Sequence, residues 1–375
     1  MVIGYDAKRA FRNNSGLGNY SRMVIGGMAR AGVDCVLATP SAKGGHEHYF
    51  ESMDGVTVVE PEGLWRTVGS LWRTVQSGRV ATRKGVDLFH GLSHELPYGL
   101  GRDVRSVVTM HDLIVLRYPE FFKPADRVIH RLKMRHACSV ADAVVAISEQ
   151  TRSDLIELMG VPGEKIHVVY QSCDPVFWDY SRLPIAGRKE LIDSCRKKYS
   201  LPERYVLCVG TLEERKNQFG VVEAFRHLPE DVALVLVGRP RGDYGRRVLA
   251  CADGRRVVAL TKACFADFPA LYGGAMASAY MSVFEGFGIP VLESLCCDTP
   301  VVTSNVSSMP EAGGDAALYA APNDCEAIAS HLWHLVHDES LRQDCIEKGR
   351  PQRMRFAPEK VTQDMLAVYR SLLDD

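Results

Sequence analysis

The sequence lacks the features by which several large classes of protein are recognised. Its formal net charge is −1, so no excess of basic residues indicates nucleic-acid binding. No run approaches the roughly 18 consecutive apolar residues of a membrane-spanning helix, and residues 1–6 carry no basic region of a secretory signal. None of the eleven cysteines forms a C-x-x-C pair. We therefore expect reduced thiols, a cytoplasmic location and no nucleic-acid partner.

The sequence does contain a regular alternation of two kinds of segment. Short runs rich in β-branched and other apolar residues are separated by longer amphipathic segments such as 17–30, 128–141 and 149–159. This alternation predicts parallel sheets covered by helices on both faces. Strands are predicted at 2–7, 35–38, 56–59, 86–90, 106–111, 143–148 and 166–171, and then at 205–210, 233–238, 256–260, 279–284, 300–303 and 317–319.

The alternation is interrupted once, near residues 172–201, by a turn-rich and then polar, basic stretch. We place a domain boundary there and predict two doubly wound, Rossmann-like α/β domains, 1–180 and 181–357, that face a central cleft. A helix at 326–348 precedes a last helix within 358–375, which we expect to pack back on the first domain. Ligands of such sheets bind beyond the carboxyl ends of the strands, so the cleft is the expected binding site.

The most informative stretch reads FEGFGIPVLE at positions 284–293. A strand is expected to end near Phe284, the two glycines permit close backbone approach, and Pro290 suits the first turn of a helix. The N–H groups and the positive dipole end of that helix would form an anion-binding position. The carboxylates of Glu285 and Glu293 can then contact separate hydroxyls of one ligand. The alternative is a plain strand–turn–helix connection with two solvated glutamates.

The E-x7-E spacing, both glycines and the proline together resemble the signature of family 4 glycosyltransferases, retaining enzymes of the GT-B fold. The likeness spans nearly the whole chain and includes the stretches 142–152 and 302–314. It implies that the first domain, 1–180, is the acceptor side and that the second, 181–357, binds the nucleotide sugar. It implies that Glu285 holds hydroxyls of the transferred sugar and stabilises its developing positive charge, and that Glu293 holds the nucleotide ribose. It also implies donor contacts at the helix start and in a loop that receives the base, namely Phe287, Gly288, Ile289, Pro290 and Val291, and Thr261 and Ala263.

A second feature is the stretch VGTLEERKN at positions 209–217, after the first strand of the second domain. Gly210 and the adjacent cations Arg215 and Lys216 are suited to bind a diphosphate. The arginine guanidinium can donate hydrogen bonds to two phosphate oxygens at once, and lysine acts as a point charge. By itself, an Arg–Lys pair in a loop is usually a solvated surface pair. The family resemblance implies instead that both cations bind the donor phosphates and take part in catalysis.

Two further candidates lie in the first domain. Gly16 and Gly18 open the first long helix, in the stretch NNSGLGNY at 13–20, but the full G-x-G-x-x-G dinucleotide pattern is absent. The resemblance implies a loop that closes over the donor phosphates or borders the acceptor. His111, followed by Asp112, ends a predicted strand. A buried and hydrogen-bonded histidine is the common interpretation, whereas the resemblance implies a catalytic position near the transferred sugar.

The sequence offers little with which to bind a metal ion. It contains no Asp-x-Asp triplet, which metal-dependent nucleotide-sugar transferases of the other large fold use. The pairs His46/His48 and His90/His94 have no converging cysteine or carboxylate by spacing. We therefore expect metal-independent transfer without a cofactor, in which protein cations and the helix N-terminus meet the charge of the leaving diphosphate.

The resemblance also indicates the substrates. The opening stretch, 6–20, is similar to bacterial hexose transferases of surface-polysaccharide assembly, often mannose transferases. GDP-mannose is therefore favoured over UDP-glucose as the nucleotide-sugar donor, and the acceptor is expected to be a glycan or a lipid-linked sugar. In retaining transfer of this kind, the acceptor hydroxyl attacks from the face that the leaving group departs.

Other functions are compatible with part of the pattern. A GT-B-fold sugar-nucleotide epimerase would share nucleotide binding, but E-x7-E is not its mark. A phosphorylase would need a much longer chain and a cofactor lysine. A non-catalytic sugar-nucleotide-binding protein would have no use for the intact set of Glu285, Glu293, Arg215 and Lys216.

Residues 64–84 contain the pentapeptide LWRTV twice, at 64–68 and at 71–75. The spacing predicts a helix with one apolar and one basic face. The apolar face would hold Leu64, Trp65, Val68, Leu71, Trp72 and Val75, and the basic face Arg66, Arg73, Arg79, Arg83 and Lys84. Such a helix either packs on the sheet with its basic side in water or makes peripheral contact with an anionic bilayer or a phosphate-bearing lipid acceptor.

Overall fold

The chain divides into two compact units. A computed structural model describes residues 1–13, 15–46, 48–252 and 256–374. The first unit comprises Met1–Ser172 and Phe356–Asp375, and the second comprises Cys173–Arg355. Residues 173–180, which we predicted to close the first domain, lie instead in the second unit. The reason is a buried aromatic contact, since the Phe177 ring lies 6.0 Å from the ring of Tyr272.

The first unit is built on a sheet of seven parallel strands. These are β1 (Val2–Asp6), β2 (Asp34–Ala38), β3 (Val56–Val59), β4 (Leu88–Gly91), β5 (Arg105–Met110), β6 (Ala143–Ala146) and β7 (Ile166–Val168). Their order is β3-β2-β1-β4-β5-β6-β7. In β1, Ile3 pairs with Cys35 of β2 on one side and with Leu88 of β4 on the other. The winding therefore reverses between β1 and β4, which is the topological switch point of this sheet.

Helices cover the sheet of the first unit. They are α1 (Lys8–Arg12), α2 (Gly16–Arg30), α3 (His48–Glu51), α4 (Gly69–Val75), α5 (Ser77–Arg83), α6 (Ile114–Arg117), α7 (Pro124–Val140) and α8 (Glu149–Met159). Short 3-10 helices lie at Gly63–Arg66, Pro119–Phe121 and Gly163–Lys165. Helix α8 has clear local signals: the Ser148 hydroxyl accepts the Thr151 N–H at 3.0 Å, and Gly160 ends the helix in the left-handed conformation.

The second unit contains a sheet of six parallel strands. These are β8 (Tyr205–Val209), β9 (Ala233–Val237), β10 (Val257–Leu260), β11 (Ala277–Tyr280), β12 (Val301–Ser304) and β13 (Ala317–Ala320). Their order is β10-β9-β8-β11-β12-β13. The central strand β8 reads YVLCV and is buried throughout, as expected for a parallel strand with both faces covered. The predicted strands are thus all present, and the structure confirms two Rossmann-like α/β units.

The helices of the second unit include two pairs that the sequence did not resolve. The helices are α9 (Pro175–Arg182), α10 (Ile185–Tyr199), α11 (Gln218–Phe225), α12 (Gly242–Leu249), α13 (Phe268–Gly273), α14 (Ile289–Cys296), α15 (Met309–Gly313), α16 (Cys325–His337) and α17 (Glu339–Met354). Short 3-10 helices lie at Glu214–Lys216, Phe265–Asp267 and Gly314–Ala316. The polar stretch after residue 172 contains α9 and α10. Residues 326–348, predicted as one helix, are divided because Asp338 caps α17 by accepting the Leu341 N–H at 3.0 Å.

The last helix, α18 (Pro358–Leu373), packs on the first unit. It approaches α2 so closely that a Cβ added to Gly27 would lie 2.3 Å from the Thr362 hydroxyl. Its Tyr369 is fully buried and shares a 2.6 Å hydrogen bond with His90 of β4. Within the described ranges, no helix combines the length and apolarity that a membrane crossing requires.

Two segments differ from their predicted form. Strand β11 ends at Tyr280 and not at Phe284, because the Val283 N–H donates to the Arg215 carbonyl at 2.9 Å and draws the chain out of the sheet.

Residues 64–84 form a 3-10 helix followed by α4 and α5, so they present no single apolar face. Leu64 is 89% exposed, whereas Trp72 is buried. Arg73, predicted on the solvated basic face, is also largely buried, because carboxylates pair with it.

Candidate active site

Glu285 lies at the centre of a polar cluster beyond the carboxyl end of β11. One of its carboxylate oxygens, Oε1, lies 2.5 Å from both Lys216 Nζ and Arg215 Nη1. The same oxygen accepts hydrogen bonds from the Tyr280 hydroxyl at 2.7 Å and from the Ser282 hydroxyl at 2.8 Å. The structure therefore brings together three predicted site residues, although Glu285 lies 69 positions after Lys216 in the sequence.

Burial and charge act in opposite directions on this cluster. Burial alone would raise the pKa of Glu285, but the facing cations Lys216 and Arg215, together with the hydroxyl donors, lower it to about 2. Burial lowers the pKa of Lys216. The neighbouring Arg215 lowers this pKa further, whereas Glu285 opposes the shift. Burial also disfavours the charge of Arg215, yet Glu285 raises its pKa above the ordinary value. Glu285 is therefore a fully ionised carboxylate that holds two cations in place.

The main chain of Glu285 is held by two serines that precede α15. Ser307 donates to the Glu285 carbonyl at 2.5 Å, and Ser308 donates to the same oxygen at 3.0 Å. Ser307 adopts the left-handed conformation, with φ of 58°. These contacts fix the position of the glutamate on the loop between β11 and α14.

Arg215 is positioned from a second side. Its Nη2 donates to Glu213 Oε1 at 2.9 Å, and the other oxygen of Glu213 accepts from Arg241 at 2.9 Å. Gly210, the residue after β8, has φ of 143°, a conformation that favours glycine. Its carbonyl oxygen lies 1.9 Å from where a Cβ on Gly238 would be. The loop that carries the two cations thus packs backbone to backbone against the next strand connection.

The helix that we predicted after Gly288 is present. Helix α14 begins at Ile289 with Pro290 in its first turn, and Gly288 precedes it with φ of 104°. A Cβ on Gly288 would lie 3.0 Å from the Met309 sulfur. Val291 is buried, Ile289 and Pro290 are half-buried, and Phe287 is 2% exposed. The Phe287 side chain packs in the interior, and its contact with the donor stays a prediction.

Glu293, the second glutamate of the motif, lies in a different environment from Glu285. It is 7% exposed, and one of its oxygens accepts the Tyr272 hydroxyl at 3.0 Å. Burial raises its pKa to about 7, an effect that Tyr272 reduces and the nearby Asp174 reinforces. The two glutamates thus differ in charge state near neutral pH, because only Glu285 is paired with cations.

The remaining donor candidates of the second unit lie at the edge of its sheet. Thr261 and Ala263 follow the edge strand β10 and are half-buried. Cys264, the next residue along, donates its N–H to the Tyr199 hydroxyl at 2.9 Å. This contact anchors the end of the loop that the family resemblance assigns to the nucleotide base.

The first-unit candidates lie beyond β1 and β5. Gly16 opens α2, and a Cβ there would meet nothing within 4 Å, whereas a Cβ on Gly18 would lie 1.9 Å from the Asn13 carbonyl oxygen. Asn14 of the same stretch is outside the described residues. His111 is 5% exposed. Its Nε2–H donates to the Leu92 carbonyl at 2.9 Å.

His111 is held as a neutral ring. Burial, with a contribution from His94, lowers its pKa to about 3. The Tyr20 ring stands edge-on to it, with a centroid distance of 4.6 Å. His90 is equally buried and shares hydrogen bonds with Thr109 and Tyr369. Among the described residues, no group of three or more His, Cys, Asp or Glu side chains is arranged to hold a metal ion.

Sequence reasoning missed four residues of this site. Tyr280 and Ser282 bind Glu285 directly, Glu213 binds Arg215, and Tyr272 binds Glu293. The sequence signal for Tyr280 and Ser282 is their position at the carboxyl end of a parallel strand, where ligands of α/β sheets bind, but many other hydroxyl side chains share that signal. Tyr272 lies within a helix and has no such signal.

Two protein-family models match the chain. The model of glycosyl transferases group 1 matches residues 193–352, and that of glycosyltransferase family 4 matches residues 14–177. Each unit is thus matched by a model of its own, and both models describe glycosyltransferases.

Individual proteins agree with these matches. O-antigen chain mannosyltransferase B of Escherichia coli is 33% identical over 306 residues, which cover 76% of this chain and 74% of that protein. O-antigen chain mannosyltransferase RfbU of Salmonella typhimurium is 25% identical over 342 residues, 86% of this chain and 87% of that one. A glycosyltransferase structure from Rickettsia africae superposes with a TM-score of 0.76 over 100% of this chain and 98% of its own, at 16% identity. The chain has the GT-B fold and belongs to the family 4 glycosyltransferases, among which it is similar to bacterial mannosyltransferases.

Proposed function

We propose that this glycosyltransferase moves a mannose residue, with retention of configuration, from GDP-mannose to a glycan or lipid-linked acceptor in surface-polysaccharide assembly. The observation that carries the proposal is the 33% identity to O-antigen chain mannosyltransferase B. The mannosyltransferase RfbU, matched over most of both chains, supports the same choice of sugar. UDP-glucose is the alternative donor.

The proposed chemistry uses the Glu285 cluster of the second unit. The acceptor oxygen bonds to the anomeric carbon as the bond from that carbon to the diphosphate breaks on the same face. The acceptor proton passes to a diphosphate oxygen, and the nucleoside diphosphate leaves. Arg215 and Lys216 stabilise the charge that grows on the diphosphate, since preorganised cations gain interaction energy as that charge develops. No protein nucleophile and no cofactor are required.

The two glutamates and the first-unit residues receive positioning roles in this proposal. Glu285 holds hydroxyls of the transferred sugar and stabilises oxocarbenium-like charge, and Glu293 holds the ribose. His111 donates its Nε2–H to a backbone carbonyl, so the lone pair of the neutral ring lies on Nδ1 and can accept a sugar hydroxyl. The open space around Gly16 leaves room for donor phosphates or acceptor beside the start of α2.

A thermal-shift comparison of GDP, UDP and ADP tests the donor. A ligand that binds only the folded protein stabilises it by RT ln(1 + [L]/Kd), so at equal concentration the ligand with the lowest Kd raises the melting temperature most. We expect GDP to give the largest rise at equal concentration. A rise with UDP alone would replace mannose by a glucose-type donor, and no rise with any of the three would contradict nucleotide binding by the second unit.

We further propose peripheral contact of residues 64–84 with the inner face of the membrane. Leu64 and Leu71 are 89% and 53% exposed, and Arg66, Arg79 and Arg83 lie in the same segment. Exposed apolar side chains beside cations favour anionic lipid surfaces. The protein should co-sediment with vesicles that contain phosphatidylglycerol, and Leu64→Asp should weaken this binding while Leu191→Asp, on the second unit, should not. Absence of binding by the unaltered protein would exclude the contact.

A further inference from the structure

A cavity in the first unit lies at the switch point of its sheet. Asp6 is the last residue of β1, and Glu95 lies in the loop after β4, the two strands between which the winding reverses. Both side chains line a cavity of about 200 Å³. Crevices at this position are where open α/β sheets bind ligands. The volume lies below the roughly 300–1,000 Å³ of pockets for drug-sized ligands, so the cavity has room for about one ring.

The polar wall of the cavity is a rigid network of four charges. Arg73 Nε donates to both carboxylate oxygens of Asp6 at 2.8 Å, and Arg73 Nη1 donates to Glu95 at 2.8 Å. Lys133 donates to the other oxygen of Glu95 at 3.1 Å. The side chains of Asp6 and Arg73 are only 6% and 10% exposed. Paired, charge-assisted hydrogen bonds of this kind fix both partners in one geometry.

The network leaves the cavity with no net charge. Two cations, Arg73 and Lys133, face two carboxylates, Asp6 and Glu95. Burial alone would raise the pKa of Glu95, but Arg73 and Lys133 lower it, so this carboxylate is ionised. Burial lowers the pKa of His136, which also lines the cavity, so that ring is neutral at pH 7. A phosphate would find both cations already paired, whereas hydroxyl groups can use the remaining carboxylate lone pairs and guanidinium N–H groups.

The same cavity is also lined by apolar and aromatic side chains, among them Leu96, Tyr98 and Leu132. The rings of Tyr98 and His136 stack with a centroid distance of 4.1 Å and an interplanar angle of 26°. Tyr98 is 52% exposed and Leu132 is 62% exposed, and both line the cavity. An apolar wall with a few fixed polar groups is the usual composition of a small-molecule site. Aromatic and aliphatic surface in the same cavity as hydrogen-bonding carboxylates suits a ring that is apolar on its faces and hydroxylated at its edge.

We infer that this cavity binds a neutral sugar ring of the acceptor glycan. The inference rests on the proposed function, because only a glycosyltransferase with a glycan acceptor has such a ring to bind. It assigns acceptor recognition to Asp6, Arg73, Glu95, Tyr98 and Leu132, none of which belongs to the donor cluster. These residues position the acceptor and take no part in bond breaking.

The test uses the full chain and single variants of two residues that line the cavity. Tyr98→Ala removes a half-exposed ring, and Glu95→Gln keeps the shape of a side chain while removing its charge. Trp333→Ala, which removes a 45% exposed ring on the second unit, is the matched control. Saturation-transfer NMR with methyl glycosides of mannose, glucose and galactose measures binding, and steady-state transfer to a mannose-containing oligosaccharide measures the acceptor KM.

We expect at least one methyl glycoside to bind the unaltered protein and the Trp333→Ala control, and to lose its signal with Tyr98→Ala. The acceptor KM should rise about two- to twelvefold with Tyr98→Ala, the fold-change to which a lost aromatic contact of roughly 0.5–1.5 kcal/mol converts. It should also rise with Glu95→Gln, which removes a charged hydrogen-bond acceptor. The rate at saturating acceptor should stay unchanged. An unchanged KM in both variants, or binding of inorganic phosphate without any glycoside, would overturn the inference.

GDP binding to the same samples separates this inference from the proposed function. If the protein binds GDP and transfers sugar, but neither cavity variant changes the acceptor KM, the cavity assignment alone is wrong. If GDP does not bind and no sugar is transferred, the proposed function is wrong and the acceptor role of the cavity is overturned with it.

Discussion

At the scale of single residues, one carboxylate oxygen of Glu285 shares four donors, of which two are cations. A donor diphosphate that approached Arg215 and Lys216 would compete with Glu285 for both. In the proposed function, Glu285 would then be released to meet the sugar hydroxyls, and phosphate binding would be coupled to sugar binding. A buried pair that loses one partner leaves an uncompensated charge. For this reason alanine at Glu285 tests stability as well as catalysis, and Lys216 is the better site for a kinetic test.

Lys216→Ala should lower the rate of sugar transfer more than it lowers donor affinity. One preorganised contact to a developing charge is worth roughly 2.7–4 kcal/mol, or about 10²–10³ in rate. Lys216→Arg keeps the charge with a different reach, so partial rescue is expected. Single-turnover transfer gives the rate, calorimetry gives the donor affinity, and Lys197→Ala, an exposed lysine of α10, is the control. A variant that transfers at the full rate once saturated would show that Lys216 serves donor binding only.

Glu293→Gln should make stability less dependent on pH. The pKa of Glu293 is raised from 4.5 to about 7 by burial. Because the folded value lies above the unfolded one, the associated stability is complete below pH 4.5 and is lost as the pH rises through 7. The glutamine variant cannot ionise, so above pH 7 it should be more stable than the unaltered protein by up to about 3 kcal/mol.

Urea unfolding at pH 4.5 and at pH values above 7 measures the difference in stability between the variant and the unaltered protein. Glu230→Gln, at an exposed position, is the control. A stability difference that does not change with pH would contradict the raised pKa. If Glu293 holds the ribose, the same variant should also bind donor more weakly. It would then be more stable and less active than the unaltered protein.

At the scale of elements, the two glycines that open α2 are not equivalent. Gly18→Ala should destabilise the first unit, because its Cβ would lie 1.9 Å from the backbone oxygen of Asn13, which cannot move away freely. Gly16→Ala meets open space and should leave the melting temperature nearly unchanged. Thermal unfolding of the two variants makes a matched comparison. Equal melting temperatures would show that the close approach at Gly18 does not constrain the loop.

The elements also show what a single sequence can and cannot predict. The strands were predictable because a buried parallel strand is a continuous apolar run. The end of β11 was not, because it depends on a contact between Val283 and Arg215 that is remote in sequence. The boundary near residue 173 was misplaced for a similar reason, since Phe177 packs on Tyr272. A local sequence pattern predicts that a helix or strand is present, whereas the residue at which it ends depends on contacts with other parts of the chain.

The same limit applies to the site. Arg215, Lys216 and Glu285 were selected from the sequence through family resemblance, and their adjacency in space is a property of the fold. Tyr280 and Ser282 complete that cluster, but hydroxyl side chains at a strand end are too common to select without the structure. The catalytic roles of these residues stay predictions.

At the scale of the whole molecule, transfer should survive removal of divalent ions. The proposed chemistry assigns the charge of the leaving diphosphate to Arg215 and Lys216, whose positions are fixed by protein contacts. Activity in excess EDTA should therefore equal activity without it. A complete loss that Mg²⁺ or Mn²⁺ restores would contradict the assignment of the phosphate chemistry.

The central claim is that the protein transfers mannose from GDP-mannose with retention of configuration. The most direct measurement is incubation of GDP-[¹³C]mannose with a mannose-containing oligosaccharide, followed by NMR of the product's new anomeric carbon. The claim predicts an α-linked ¹³C-mannose on the acceptor, equimolar release of GDP, and no change of the donor when the acceptor is omitted. An altered sugar nucleotide formed without acceptor would indicate an epimerase, and bound but unreacted donor a non-catalytic binding protein. A β-linked product would contradict retention, and any of these three results would contradict the account.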